Sequence, residues 1–312
     1  MKIVVLDTDT IGTEEELKGL HAHGDVTFYA TTSSAEVVDR IKAVHIIVTN
    51  KVVLDREVLD QAANLRLVCI TATGTNNVDL VSAEEKNIAV KNVAGYSTNS
   101  VAQHTFSMLF HLISQLSYYH EFVASGGYSK KPLFTHFKGN FYELKGKTFG
   151  IIGLGAIGKR VAELAQLFGS RVVYYSTSGK NNDATYQRVE LDELLKESDV
   201  VSIHAPLTKE TKGLLNKENL HLMKSSAILL NNGRGGIVDE QDLVTALNEK
   251  QLAAAGLDVF EVEPLAGDSP LLSIQDRYRL LLTPHIAWAS REAREELIDR
   301  TVGNIASFLK KA

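Results

Sequence analysis

Gly153-Leu154-Gly155-Ala156-Ile157-Gly158 spaces its glycines as GxGxxG, after the apolar run 149–152 and ahead of an amphipathic stretch, 159–168. Between a strand and a helix this pattern is a dinucleotide fingerprint. Gly153 allows the tight turn, Gly155 lets the backbone approach a pyrophosphate, and Gly158 lets helix and strand pack closely. Amides near Ala156 and Ile157 then hold the anion at the helix N-terminus. Three further clusters follow apolar runs: Asn231-Asn232-Gly233-Arg234-Gly235-Gly236, Asp258-Val259-Phe260-Glu261-Val262-Glu263-Pro264 and Thr283-Pro284-His285-Ile286-Ala287-Trp288. Strand ends are where ligands gather in doubly wound sheets. A planar guanidinium holds a carboxylate through paired hydrogen bonds, and an imidazole exchanges a proton near neutrality.

The elements that must position these groups form two βα series. In the first, strands are expected near 2–6, 26–29, 45–49, 67–71 and 88–91, with helices near 14–20, 35–41, 55–62 and 82–85. Residues 98–124 read as one long helix, since Val101, Phe106, Leu109, Ile113 and Leu116 fall near helical spacing and no proline interrupts them. The segment 128–144, with Pro132 and several aromatics, reads as a linker. The second series has strands near 147–152, 171–175, 200–204, 227–231, 253–257 and 280–283, and a last helix spans 290–310. The fold class is therefore α/β, with two doubly wound, mostly parallel sheets covered by helices on both faces.

Two domains suit a chain of 312 residues. A net charge of −5 without a basic run argues against nucleic acid or an anionic membrane as the main partner. No apolar run approaches the roughly 20 residues of a membrane helix, and the start, interrupted by Asp7 and Asp9, is not a signal peptide. Cys69 is the only cysteine, so no internal disulfide forms, and its apolar flanks predict burial. A cytoplasmic location follows as the expectation, and no metal site is expected.

At the end of the strand 171–175 an NAD site usually carries an acid for the ribose hydroxyls. Ser176 stands there instead, followed by Thr177, Ser178, Gly179 and Lys180, with no arginine in the loop. NAD(H) and NADP(H) are both expected to serve, with a preference below roughly a hundredfold.

The GxGxxG and the three clusters, in this order, closely resemble the D-isomer-specific 2-hydroxyacid dehydrogenase family over nearly the whole chain. Thr71-Ala72-Thr73-Gly74-Thr75-Asn76-Asn77-Val78-Asp79 and the stretch from Gly95 to Phe106 are most similar to its glycerate dehydrogenase (hydroxypyruvate reductase) branch.

The resemblance implies residues 1–98 plus 286–312 as a discontinuous substrate domain, residues 99–285 as the dinucleotide domain, and an active site in the cleft between them. Arg234 matches the family's substrate-binding arginine, His285 its acid–base histidine and Glu263 the carboxylate that pairs with that histidine. Asp258 resembles the residue on the nicotinamide side of the cofactor, with Asn232 and Gly233 beside it. Ala205, Pro206 and Thr211 lie in a segment resembling the adenine and ribose contact loop. Thr73 and Gly74 resemble the loop that receives the substrate carboxylate, Tyr96 an aromatic lining the same cleft, and Asn50 and Lys51 its border.

A small D-2-hydroxy acid and its 2-oxo acid are then the substrates, glycerate/hydroxypyruvate or glycolate/glyoxylate foremost. The helix and loop 98–144 resemble a homodimer arm. The alternatives are a D-lactate dehydrogenase and a non-catalytic, dinucleotide-sensing corepressor-like protein. Phosphoglycerate dehydrogenase is disfavoured by the end at Ala312, and formate dehydrogenase by Glu263.

Overall fold

The computed structural model describes residues 1–138 and 141–310; positions 139–140 of the expected linker and 311–312 of the expected substrate domain lie outside the described residues. The chain divides into two compact units, one of Met1–Ser97 with the segment from Ala289 onward, the other Thr98–Trp288.

In the first unit, β1 (Lys2–Val5), β2 (Asp25–Phe28), β3 (Ile46–Thr49), β4 (Leu67–Ile70) and β5 (Ala89–Lys91) form a parallel sheet in the order β2-β1-β3-β4-β5. β3 and β4 are buried throughout, hence their apolar runs, with Thr49 at the end of β3 the one polar member. Helices α1 (Val37–Ile41), α2 (Arg56–Asp60) and α3 (Leu80–Glu85) connect the strands. The carboxylates of Asp55 and Asp79 start α2 and α3 by accepting from the amides of Val58 and Ser82, both at 2.9 Å. The C-terminal helix, Arg291–Leu309, buries Leu297, Ile298 and Ile305, the last two in a core with Ile3, Val5, Leu17 and Leu20. The helix expected at 14–20 does not form. Turns and a 3-10 segment, Lys18–His23, replace it, and the buried pair Leu17 and Leu20 matches three residues per turn.

The second unit starts with α4 (Thr98–Ile113) and α5 (Leu116–Ala124), two helices where one was expected. Gln115 lies between them in the left-handed region at φ 51, which ends the α4 hydrogen-bond ladder. The seven-stranded parallel sheet contains β6 (Thr148–Ile152), β7 (Arg171–Tyr175), β8 (Gln187–Arg188), β9 (Val200–Ile203), β10 (Ile228–Asn231), β11 (Ala254–Leu257) and β12 (Leu280–Leu282). Its order is β12-β11-β10-β9-β6-β7-β8. Helices α6 (Ala156–Leu167), α7 (Leu191–Glu197), α8 (Lys217–Leu220) and α9 (Glu240–Asn248) make the crossovers. The order reverses between β6 and β9, and a doubly wound sheet binds its ligand outside the carboxyl ends of strands at such a point.

The segment expected as a linker, 128–144, lies inside this second unit. Aromatic packing holds it there: the His136 ring stacks on Phe122 with centroids 4.1 Å apart, and its Nε2 is 2.7 Å from the Tyr118 hydroxyl. No helix among the described residues is long and apolar enough to cross a membrane.

Candidate active site

The turn between β6 and α6 is built for close approach. Gly153 has φ 91, and a Cβ there would lie 2.8 Å from the Ala205 amide; at Gly158 it would lie 2.3 Å from the Gly153 carbonyl. A Cβ on Gly155, by contrast, would meet nothing within 4 Å. Gly155 is also the N-cap of α6 and supplies no side-chain acceptor, unlike the Asp caps of α2 and α3. The first amides of α6, those of Ala156 and Ile157 included, therefore start beside open space at the positive end of the helix. These residues fit a dinucleotide pyrophosphate.

His285 follows β12 in the left-handed region, φ 54. A strained conformation persists only where its surroundings fix it. Asp258, at the end of β11, does so: its carboxylate accepts from the Thr283 hydroxyl (2.6 Å) and the amides of Ile286 (2.9 Å) and Ala287 (2.8 Å). Its carbonyl accepts from the His285 amide at 2.8 Å. The ring so placed has Nδ1 2.7 Å from Glu263 Oε2, while Glu263 Oε1 accepts from the Phe260 amide at 3.1 Å. With Nδ1 on a carboxylate, Nε2 is the nitrogen left to exchange a proton with a ligand.

Arg234 lies in the turn after β10. Gly235 brings this turn against the segment that carries Glu263, since a Cβ on it would sit 1.7 Å from the Phe260 carbonyl. The half-buried guanidinium donates to the Gly233 carbonyl at 2.9 Å and pairs with no carboxylate among the described residues. An uncompensated arginine and a carboxylate-oriented histidine at strand ends of the same sheet are suited to an organic acid that gains or loses a proton.

The family model for the NAD-binding domain of D-isomer-specific 2-hydroxyacid dehydrogenases matches residues 106–287. The chain belongs to that family. It is 42% identical to a hydroxypyruvate reductase of Blautia hydrogenotrophica, covering 99% of this chain and 97% of that protein. A solved acyclic imino acid reductase in complex with NADPH and D-Arg is similar with a TM-score of 0.89 and 30% identity, covering 100% of this chain and 98% of that one. A D-lactate dehydrogenase from Aquifex aeolicus, complexed with NAD and lactic acid, gives a TM-score of 0.87 and 29% identity over 100% of this chain and 96% of that one. This 2-hydroxyacid dehydrogenase is an oxidoreductase that uses NAD(H) or NADP(H).

The other expected site residues of the dehydrogenase are placed as follows. Asp258 is 1% exposed and gives its carboxylate to the turn of His285. Asn232 donates from Nδ2 to the Thr105 hydroxyl at 2.9 Å, and Gly233 donates its amide to Asn231 Oδ1 at 3.0 Å. Thr211 closes the loop after β9 by donating to the Pro206 carbonyl at 2.7 Å. Ser176 is buried, and its hydroxyl accepts from the Asn181 amide at 3.2 Å.

In the first unit, Asn50 is buried and donates from Nδ2 to the Thr71 carbonyl at 3.0 Å, while the amides of Asn50 and Lys51 donate to Asp7. Tyr96 is buried too. The amides of Thr73 and Gly74 donate to no acceptor among the described residues.

Sequence reasoning missed three members of this architecture. Thr283 and His104, whose Nε2 is 3.1 Å from the Thr283 hydroxyl, join Asp258 only through the fold. Arg188 is the third, and it lies outside the loop, which holds no arginine, as expected. It stands twelve positions beyond Ser176 in sequence, yet β8 brings it to the Gly179 carbonyl at 3.0 Å. Two short edge-strand residues leave no periodic signal that could have revealed it.

Proposed function

We propose that the protein reduces a small 2-oxo acid, hydroxypyruvate or glyoxylate, to the D-2-hydroxy acid and runs the reverse oxidation through the same groups. The uncompensated guanidinium of Arg234 carries the reading. It takes the substrate carboxylate and polarises the adjacent carbonyl. Resemblance to the family supports Asn50, Thr73, Gly74 and Tyr96 as further substrate-binding residues.

His285 donates a proton from Nε2 to the carbonyl oxygen as reduction proceeds, and Glu263 on Nδ1 keeps the ring oriented. When bound, the reduced nicotinamide supplies the hydride. Gly153–Gly158 hold the pyrophosphate. Ala205, Pro206 and Thr211 serve the adenosine half, and Asn232, Gly233 and Asp258 the nicotinamide half.

Initial rates with hydroxypyruvate, glyoxylate and pyruvate, each with NADH and NADPH, test the assignment. Hydroxypyruvate or glyoxylate should lead, and a clear preference for pyruvate would move it to D-lactate dehydrogenase. His285→Gln should lose nearly all turnover while keeping dinucleotide binding; near-normal rates would remove the histidine from the mechanism.

The protein is further proposed to be a cytoplasmic homodimer. Its lone cysteine is buried, in keeping with a reducing compartment. Leu133, Phe134 and Phe137 in the segment after α5 are 67%, 89% and 74% exposed, more apolar surface than isolated side chains require. Sedimentation at micromolar concentration showing only monomer would exclude the dimer.

A further inference from the structure

We propose that the loop after β7, together with Arg188 of β8, makes this protein prefer NADP(H) over NAD(H) by receiving the phosphate on the adenosine ribose. The inference rests on the dinucleotide reading of the Gly153–Gly158 turn. The loop belongs to that turn: the Asn181 side-chain amide donates to the carbonyl of Leu154, between the first two glycines, and its backbone amide donates to Ser176 Oγ. Residues 176–181 are thereby folded back onto the cofactor cradle.

The charge balance there favours an additional anion. Asp183 is the only acid between Ser176 and Arg188. Lys159 of α6 already holds it at 2.8 Å, and the hydrogen bond from that lysine keeps the Asp183 carboxyl below the usual carboxylate range. Lys180 and Arg188 have no ion-pair partner among the described residues, so two exposed cations remain uncompensated.

The backbone fixes where they sit. The Gly179 amide donates to the Ser176 carbonyl at 3.0 Å, closing a turn, and Gly179 takes φ 68. Its carbonyl then receives Arg188 Nη1 at 3.0 Å, which anchors the guanidinium by one edge and leaves other N–H groups for a phosphate. The hydroxyls of Thr177 and Ser178 lie on the same loop. A ribose diol would meet no free carboxylate here, whereas a phosphate monoester would meet two cations and hydroxyl donors.

The test needs no turnover. Calorimetric titration of the whole protein with 2′,5′-ADP and with 5′-AMP isolates the contribution of the phosphate. At low salt 2′,5′-ADP should bind ten- to a hundredfold tighter, and Arg188→Gln should reduce that ratio about tenfold. Lys180→Gln should reduce it less, and Arg188→Lys should retain part of it. A loop held together by Arg188 for structural reasons alone would weaken both nucleotides equally and leave the ratio unchanged, which overturns the assignment. Equal affinity of the native protein for the two nucleotides overturns the preference itself. Failure to bind either nucleotide, NADH or NADPH would instead remove the dinucleotide reading beneath it.

Discussion

His204, directly after β9, should make the second unit acid-labile. Its amide donates to the Ile152 carbonyl at 2.8 Å, and its Nε2 is 2.8 Å from the Ser202 hydroxyl. One edge of the residue reaches the surface, but Nδ1 is sealed from solvent and has no partner. Burial pushes the imidazole down from its ordinary 6.5 to about 3. The native state therefore excludes a proton that the unfolded chain binds. Stability is complete above the unfolded value and declines as pH falls through the window between 6.5 and 3.

Each pH unit in that window costs about 1.4 kcal/mol, so going from pH 7 to pH 5 removes about 2 kcal/mol through this one ring. The figure barely changes for any native value below about 4.5, because pH 5 then remains above it. The assay is urea unfolding of the cofactor-free protein, followed by the fluorescence of Trp288, the single tryptophan, which belongs to the second unit. His204→Asn cannot charge. The free-energy difference between native protein and variant should therefore shift by about 2 kcal/mol against the native protein between pH 7 and pH 5. Parallel pH dependence of the two proteins would refute the reasoning, as would an imidazole resonance of His204 that titrates in the folded protein above pH 5.

Glu263→Gln removes the negative charge 2.7 Å from the His285 ring. The ring loses the carboxylate that orients it, and kcat for 2-oxo acid reduction should fall by roughly tenfold or more with dinucleotide affinity unchanged; an unchanged kcat would show that the pair does not act in the proton step. Arg234→Lys keeps a charge but not the paired geometry, so kcat/KM should fall roughly 10- to 100-fold, the value of one charge-assisted hydrogen bond. An unchanged kcat/KM would mean that another cation holds the acid.

What the sequence made legible was local or repetitive. β3, β4, β6, β9 and β10 are buried along their whole length, so each is written as a mainly apolar run, with Thr49, Thr148, Ser202 and Asn231 the polar exceptions. The glycines of the cofactor turn are equally readable, because at Gly153 and Gly158 a Cβ would strike backbone. The break at Gln115 has no such signature. Apolar spacing continues across it, and a left-handed residue that is neither glycine nor asparagine announces nothing. The segment 128–144 has a linker's composition, yet its rings pack on α5.

The candidate site divides along the same line. Arg234, Glu263 and His285 stand out as residue types within short clusters at strand ends. What holds them does not: the carboxylate of Asp258 reaches amides 28 and 29 positions onward, and His104 reaches Thr283 across 179. Arg188 is the sharpest case, since its charge is obvious in the sequence and its relevance depends wholly on the pairing of β8 with β7. A cofactor preference read from residues 176–180 alone weighs one lysine and three hydroxyls against a missing acid. In the folded chain β8 brings a second uncompensated cation to that loop, and that addition turns a relaxed choice between cofactors into a directed one.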